Sequence, residues 1–376
     1  MKIAFISLAA FPSRSAESIH VAKMCEAFAE HGHQVTLVAP RRTPEPVGPE
    51  LLASHYGVRT PFRVVKLPRP AIRGAARLFG AQAAAWCRRA GVDLVYSRDL
   101  NGAFFAATIG MRVMFEVHNA VDRVRGVSRW MLSRLLHHPR LVRLVVISDS
   151  LQRYFQQHHD LPAERILVAR EAADAVDSAD AAPVQLGPGA LHVGYVGHLY
   201  PGKGMEVVVE LAAACPWAVF HVVGGEEKDI RWWKEQRPGL DNLLFHGFVP
   251  HAVTAGYRQA CDVLLAPYQS RVSDSRGGDI GQWMSPMKVF EYMASGKAIL
   301  ASNIAVVEEV VVDGETALLR GPEDFAGWTA ALERLRDDPD LRARLGERAQ
   351  AVFLREYTWP KRAAKVLRAA GATVAE

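Results

Sequence analysis

A chain of 376 residues, 49% of them hydrophobic, is longer than one core usually supports, so two domains with substantial cores are expected. The net charge of +5 and pI near 9.0 are modest at this length, and Lys and Arg are spread without a long basic run. That balance excludes nucleic acid as the expected partner and fits a phosphate-bearing substrate or an anionic membrane surface.

Met1-Lys2 followed by apolar residues 3–11 has the look of a short signal peptide, but the pattern beyond it continues the fold directly. No stretch is long enough to cross a bilayer. Cys25, Cys87, Cys215 and Cys261 lie far apart in apolar segments without C-x-x-C spacing, so reduced thiols and a cytoplasmic protein, peripheral on the inner membrane face at most, are expected. Residues 3–9 read as a strand, 18–30 as an amphipathic helix and 34–39 as a second strand, a βαβ unit opening a parallel sheet. The connection at 11–16 lacks G-x-G-x-x-G, which argues against an NAD-type turn, while Arg14 and Ser15 within it are candidates to face a ligand.

Residues 71–90 form a basic helical stretch carrying Arg73, Arg77, Arg88 and Arg89, and strands are expected at 92–98 and 113–118. Strand ends in open α/β sheets face the ligand crevice, which makes His118-Asn119 a candidate site; the plainer reading is a surface or capping histidine. Residues 123–143 interleave Arg123, Arg125, Arg129 and Arg134 with Trp130, Met131, Leu132, Leu135 and Leu136. Two readings stand for that helix: one lies on an anionic membrane, the other packs on the core with its arginines in water. Asp149 or Ser150 is placed to cap the helix after the strand at 144–148.

Residues 173–190 lose periodicity and read as a linker between a first domain, 1–172, and a second, 191–355; a basic amphipathic segment at 356–376 is expected to return to the first domain. After a strand at 192–196, the loop Gly197-His198-Leu199-Tyr200-Pro201-Gly202-Lys203-Gly204 opens a helix. Lys203 between glycines at a helix start suits a phosphate, although the P-loop spacing fails. Further strands are expected at 219–223, 243–246, 262–266, 298–301 and 317–319, with a polar, Gly-rich loop at 269–282 expected to be mobile until ligand arrives.

That loop delivers the chain to residues 285–297, where Ser285 is the expected N-cap, Pro286 the first helical residue and Gly296 the stop. Met287, Phe290 and Met293 share one face, Lys288 and Glu291 another. The helix start would take a diphosphate, Lys288 would add charge and Glu291 would accept from hydroxyls; the alternative is a surface helix with a solvated Lys–Glu pair. No His, Cys or Asp cluster has metal-ligand spacing, since His137-His138 and His158-His159 are adjacent pairs whose side chains diverge, so a metal-independent reaction is expected.

Residues 32–36, 196–204 and 285–296 resemble the GT-B glycosyltransferases of family four, retaining enzymes that use nucleotide sugars; the resemblance spans nearly the whole chain and is more specific in its second half. It implies an α/β fold of two Rossmann-like, doubly wound parallel-sheet domains facing a cleft. It implies retaining, metal-independent hexosyl transfer without a cofactor, from a UDP- or GDP-linked sugar to a glycan, lipid-linked or small-molecule acceptor, in cell-surface polysaccharide or glycoconjugate synthesis. By the resemblance Lys203 binds donor phosphate within a loop that includes Gly197, His198 and Gly204, Glu291 binds the ribose, and Ser285, Pro286, Met287, Lys288 and Val289 adjoin the donor. His118 would sit beside the transferred sugar, with Arg14, Ser15 and Asn119 on the acceptor side. Departures are His198 where the family has an arginine, Trp283 where it has a first glutamate, and Ser15-Ala16 where it has Gly-Gly. Lys288 or Arg14 is then needed for the arginine's charge, and Asp274 or Asp279 for the carboxylate. Two other readings stay open, a nucleotide-sugar-binding protein without turnover and, behind it, a sugar-nucleotide epimerase.

Overall fold

The computed structural model describes residues 1–13, 15–41, 47–122, 124–175, 183–273 and 279–375. Arg14, Arg123, Asp274 and parts of the expected linker and of the 269–282 loop lie outside them. The chain divides into two compact units, Met1–Arg170 with Trp359–Glu376, and Glu171–Thr358.

The first unit runs β1 (Lys2–Ile6), α1 (Ala16–Glu30), β2 (Gln34–Pro40), α2 (Pro49–Tyr56), β3 (Arg63–Leu67), α3 (Ala75–Arg89), β4 (Leu94–Ser97), α4 (Leu100–Thr108), β5 (Val113–Val117), α5 (Gly126–Leu136), β6 (Leu141–Val146), α6 (Asp149–His159) and β7 (Ile166–Val168). All pairings are parallel, in the order β3-β2-β1-β4-β5-β6-β7. Strands β4 and β5 are buried throughout, as a parallel sheet covered on both faces requires. Strand order reverses between β1 and β4, the place where open α/β sheets leave a crevice at the strands' carboxyl ends.

The second unit runs β8 (His192–Val196), α7 (Met205–Ala214), β9 (Val219–Val223), α8 (Glu227–Gln236), β10 (Leu243–Gly247), α9 (His251–Ala260), β11 (Val263–Ala266), α10 (Met287–Ala294), β12 (Ala298–Ser302), α11 (Ala305–Glu308), β13 (Leu318–Arg320), α12 (Phe325–Asp337) and α13 (Pro339–Glu356). Its sheet is also parallel, in the order β10-β9-β8-β11-β12-β13, with the reversal between β8 and β11. Side chains alternate between faces: Val263 and Leu265 pack into the core that holds Leu211 of α7 and Trp328 of α12, whereas Leu264 and Ala266 pack into the core that holds Phe290 and Met293 of α10. Helix α14 (Trp359–Ala369) then returns to the first unit and packs on α1.

Several boundaries differ from expectation for identifiable reasons. The basic helix expected at 123–143 ends at Leu136, because residues 141–146, apolar except for Arg143, join the sheet as β6. Ser148, rather than Asp149 or Ser150, caps α6 by accepting from the Leu151 amide. The second unit begins at Glu171, before the stretch expected as linker, and Ala173 is bridged to Thr358. All four cysteines are buried and unbridged. Among the described residues no helix is long and apolar enough to cross a membrane.

Three histidines cross the second sheet as a hydrogen-bonded chain. His192 Nδ1 lies 3.0 Å from His221 Nε2, His221 Nδ1 3.0 Å from His246 Nε2, and the Tyr257 hydroxyl 3.3 Å from His246 Nδ1. Neutral rings satisfy such a chain, and a proton added at the central ring, His221, both of whose nitrogens face another ring, sets two N–H groups against each other. Burial, then His246 and His192, push His221 down to about 4. Its folded value lies below the unfolded value of about 6.5, so the unfolded chain binds more protons between those limits. The stabilisation is complete above about pH 6.5 and is lost as pH falls toward about 4. Urea unfolding is expected to show a loss on the order of 2–3 kcal/mol across that window. His221→Leu should flatten that slope; an equal slope in wild type and variant would show that the chain is not what titrates.

Candidate active site

In the second unit the sequence between β8 and α7 is held tightly against the loop after β11. The Gly197 amide donates to the Val223 carbonyl, and the Tyr195 hydroxyl lies 2.7 Å from the His198 carbonyl and 3.3 Å from that of Lys203. Gly202 and Gly204 have φ of 82° and 92°, and a Cβ there would stand 1.9 Å from the Arg271 carbonyl oxygen and 1.7 Å from that of Pro267. Only glycine fits both the conformation and the approach. This packing brings Lys203 to the Tyr268 ring, with its ammonium nitrogen 5.5 Å from the centroid.

Helix α10 supplies the second ammonium group. Lys288 is only 7% exposed, and its Nζ lies 3.8 Å over the Tyr195 ring and 5.0 Å from that of Tyr268. It has no hydrogen-bond partner among the described residues. Burial and then the Lys203 charge push the Lys288 amino group well below its usual range, with Glu291 pulling weakly the other way. Tyr195 belongs to β8 and Tyr268 follows β11, so the two ammonium groups meet where the strand order reverses.

The start of α10 differs from the expected capped helix. Ser285 does not cap it: the Ser285 hydroxyl accepts from the Glu171 amide at 3.0 Å, and Pro286 is the cap residue, with no side-chain bond. The Met287 and Val289 amides donate to the Ser285 and Pro286 carbonyls, and the Lys288 amide donates to the Tyr268 hydroxyl. Those donors are met within the unit, which leaves the Lys288 side chain as the anion-seeking group of α10. The helix stops at Gly296, with φ of 64°.

Glu291 lies 3.4 Å from Arg258, a residue of α9 that the sequence reading did not single out; it is 4% exposed and also donates to Thr254 at 3.0 Å. His198 stacks on Tyr200 with centroids 4.8 Å apart. Desolvation of its ring, then the Lys203 and Lys288 charges, lower its pKa, so it does not replace the charge of an arginine near neutral pH. The Asp279 carboxylate accepts from the Val272 and Gly281 amides and so serves its own loop.

In the first unit, Ser15 is the N-cap of α1, accepting from the Ser18 amide at 3.2 Å. Its hydroxyl also lies 2.9 Å from that of Ser13. Asn119 is exposed beyond the end of β5. His118 has both ring nitrogens engaged: Arg98 Nη2 lies 3.1 Å from Nδ1, and Nε2 lies 2.5 Å from Glu116 Oε1. Because Arg98 can only donate, Nδ1 is the acceptor and Nε2 carries the proton that goes to Glu116. The carboxylate of Glu116 also receives Arg362 of α14 at 2.8 Å and the Tyr96 hydroxyl, with His20 Nε2 at 3.1 Å. Burial alone would raise the Glu116 pKa, but Arg362, His20 and His118 outweigh it and hold the carboxyl well below its usual range.

Sequence spacing gave no metal-ligand cluster, yet the fold brings ligand atoms of His20, Glu116 and His118 within 4.8 Å of one another. Two guanidinium groups adjoin them, Arg362 on Glu116 and Arg98 on His118, and they oppose a further cation. The arrangement fits an ion-pair network that fixes the His118 ring. Glu116 had one signal in sequence, a lone carboxylate inside an apolar strand, which cannot be buried without a cation.

Comparison with known proteins agrees with this organisation. Residues 18–175 match the family model described as Glycosyltransferase Family 4, and residues 190–338 that described as Glycosyl transferases group 1. The chain is 26% identical to a phosphatidyl-myo-inositol mannosyltransferase of Mycolicibacterium smegmatis, over 98% of this chain and 93% of that one. It is 22% identical to the alpha-D-kanosaminyltransferase of Streptomyces kanamyceticus over 75% of each chain. Among solved structures, Anabaena HepE in complex with UDP superposes with a TM-score of 0.71 at 16% identity, covering 99% of this chain and 100% of that one. A sucrose-phosphate synthase from Thermosynechococcus elongatus superposes with a TM-score of 0.72 at 18% identity, covering 97% of each. The chain belongs to the family four glycosyltransferases and has their GT-B fold of two Rossmann-like units.

Proposed function

We propose that the protein transfers a hexosyl group from a UDP- or GDP-linked sugar to an acceptor held by the first unit, with retention of anomeric configuration and without a metal ion. The observation that carries this reading is the pair Lys203 and Lys288 beside Tyr268 at the strand-order reversal of the second unit, with Lys288 buried and without a hydrogen-bond partner among the described residues. A diphosphate supplies a counter-charge to the buried Lys288 amino group, with Lys203 beside the same ring. HepE has been solved with UDP and with UDP-glucose, which supports a nucleotide-sugar donor for a chain of the same fold.

In this reading the acceptor hydroxyl attacks the anomeric carbon from the face that the diphosphate leaves. The bond from that carbon to the phosphate oxygen breaks, its electron pair stays on the departing diphosphate, and the hydroxyl proton passes to a diphosphate oxygen. Lys203 and Lys288 stabilise the charge that develops there, the largest task left to the protein. Glu291, one of whose oxygens faces Arg258, accepts from ribose hydroxyls in this reading. In the first unit His118, whose ring Arg98 and Glu116 fix, is the residue we propose to meet the transferred sugar.

Incubation with UDP- and GDP-sugars and an acceptor panel tests the proposal. Turnover is expected to persist in EDTA, and NMR of the product should show the donor's anomeric configuration retained. An inverted product, or strict dependence on a divalent ion, would contradict it; donor binding without turnover across the panel would favour a nucleotide-sugar-binding protein.

A further inference from the structure

The first unit contains a cavity of about 470 Å³ whose wall carries four guanidinium groups, those of Arg69, Arg73, Arg77 and Arg125, together with Asn101 and Ser128. Among the described residues no aspartate or glutamate lines it. The nearby Asp99 carboxylate is buried and turned to the start of α4, accepting from the Gly102 amide at 2.7 Å and from Asn101 at 3.0 Å. We propose that this cavity binds a phosphoryl group, and that the ligand carrying it is the acceptor, an amphiphile with an apolar body. The inference rests on the reading above that the first unit takes the acceptor.

Four like charges around a concave wall repel one another and concentrate a positive potential that a bound dianion, offsetting two of them, lowers. Arginine is the side chain suited to this, because its planar fork meets two phosphate oxygens at once. The local helices sharpen the case. The first turns of α3 and of α5 both border the cavity, neither is capped by a side chain, and neither carries an acidic residue. Each carries a cation there instead, Arg77 in α3 and Arg125 at the cap of α5, the reverse of what the helix dipole favours. An anion between them removes that conflict for both helices.

The wall is not uniformly polar. Ile72 and Val127 line the cavity while 61% and 52% exposed, and Leu78 and Trp130, on the same two helices, are 42% and 54% exposed. The buried face of α5, including Met131, Leu132 and Leu135, packs on the core, so these side chains are a separate apolar rim beside the cationic wall. A phosphoryl group flanked by apolar surface is the chemistry of a lipid phosphate.

The test uses the full chain, sedimented with vesicles of phosphatidylglycerol in phosphatidylcholine and with phosphatidylcholine alone, alongside calorimetry with glycerol 3-phosphate and with UDP. Wild type is expected to follow only the anionic vesicles. Arg73→Gln/Arg77→Gln should weaken that partition at least about tenfold, and Arg73→Glu/Arg77→Glu should abolish it. UDP affinity should be unchanged in both variants. If wild type ignores vesicles but binds glycerol 3-phosphate with the same arginine dependence, the phosphoryl site stands and its source is soluble. If neither probe binds at low salt, or both variants bind as wild type does, the proposal is overturned. Failure of UDP to bind at all would count against the donor site alone, because the vesicle and glycerol 3-phosphate results read out separately.

Discussion

Lys288→Met is expected to raise the stability of the ligand-free protein while weakening UDP binding by roughly 1–3 kcal/mol and slowing transfer about 10²–10³-fold. The two effects share one cause. Lys288 is 7% exposed, lacks a hydrogen-bond partner among the described residues and has aromatic faces for neighbours, with Lys203 adding repulsion. The Tyr195 face offsets part of the desolvation by cation–π attraction, on the order of 2 kcal/mol at most, and methionine fills the same volume without a charge to desolvate. A stability gain of about 1 kcal/mol in urea unfolding is the expected reading. Because the Lys288 pKa lies well below its usual range and a bound diphosphate favours the protonated form, affinity should fall as pH rises through that lowered value. Lys203→Ala should weaken UDP binding by a similar roughly 1–3 kcal/mol without the gain in stability, since Lys203 is only half-buried. A Lys288→Met protein that is less stable and binds UDP normally would make the amino group a structural feature and remove the observation on which the donor site rests.

Local pattern made much of the fold legible. Strands such as β4 and β12 are short apolar runs bounded by turn signals, and the glycines around Lys203 mark a turn that the structure shows no Cβ could enter. What escaped was set by partners distant in sequence. Ser285 has the composition of an N-cap, but a tertiary partner, the Glu171 amide, takes its hydroxyl. Lys288 reads as the polar member of an i, i+3 pair, yet the Tyr195 and Tyr268 rings that bury it come from β8 and from the loop after β11. Strand β3 was missed because its residues are only partly buried at the sheet edge and show no clean alternation. The setting of His118 was least visible, since Arg98, Glu116 and His20 around its ring, and Arg362 on Glu116, lie on four different elements or strand ends.

The same separation makes Arg362 the residue whose loss should cost the first unit most. It sits on α14, 3% exposed, and donates to Glu116 Oε1 at 2.8 Å, to the Arg170 carbonyl at 2.9 Å and to the Ala169 carbonyl at 3.2 Å. Arg362→Met leaves the fully buried Glu116 without its strongest counter-charge, and breaking one side of a buried pair costs about 3–5 kcal/mol. Glu116→Gln in the Arg362→Met background should restore much of that loss, because the amide no longer demands a cation; urea unfolding of the two single variants and the double variant measures the coupling. Glu116→Gln alone should leave the affinity of the second unit for UDP unchanged and lower kcat, since a neutral amide accepts from the His118 Nε2–H more weakly than the carboxylate and the ring is held less firmly. Equal losses in kcat and in UDP affinity would point to global damage. A double variant no more stable than Arg362→Met would show that Arg362 acts through its backbone carbonyl bonds, with the Glu116 pair contributing little.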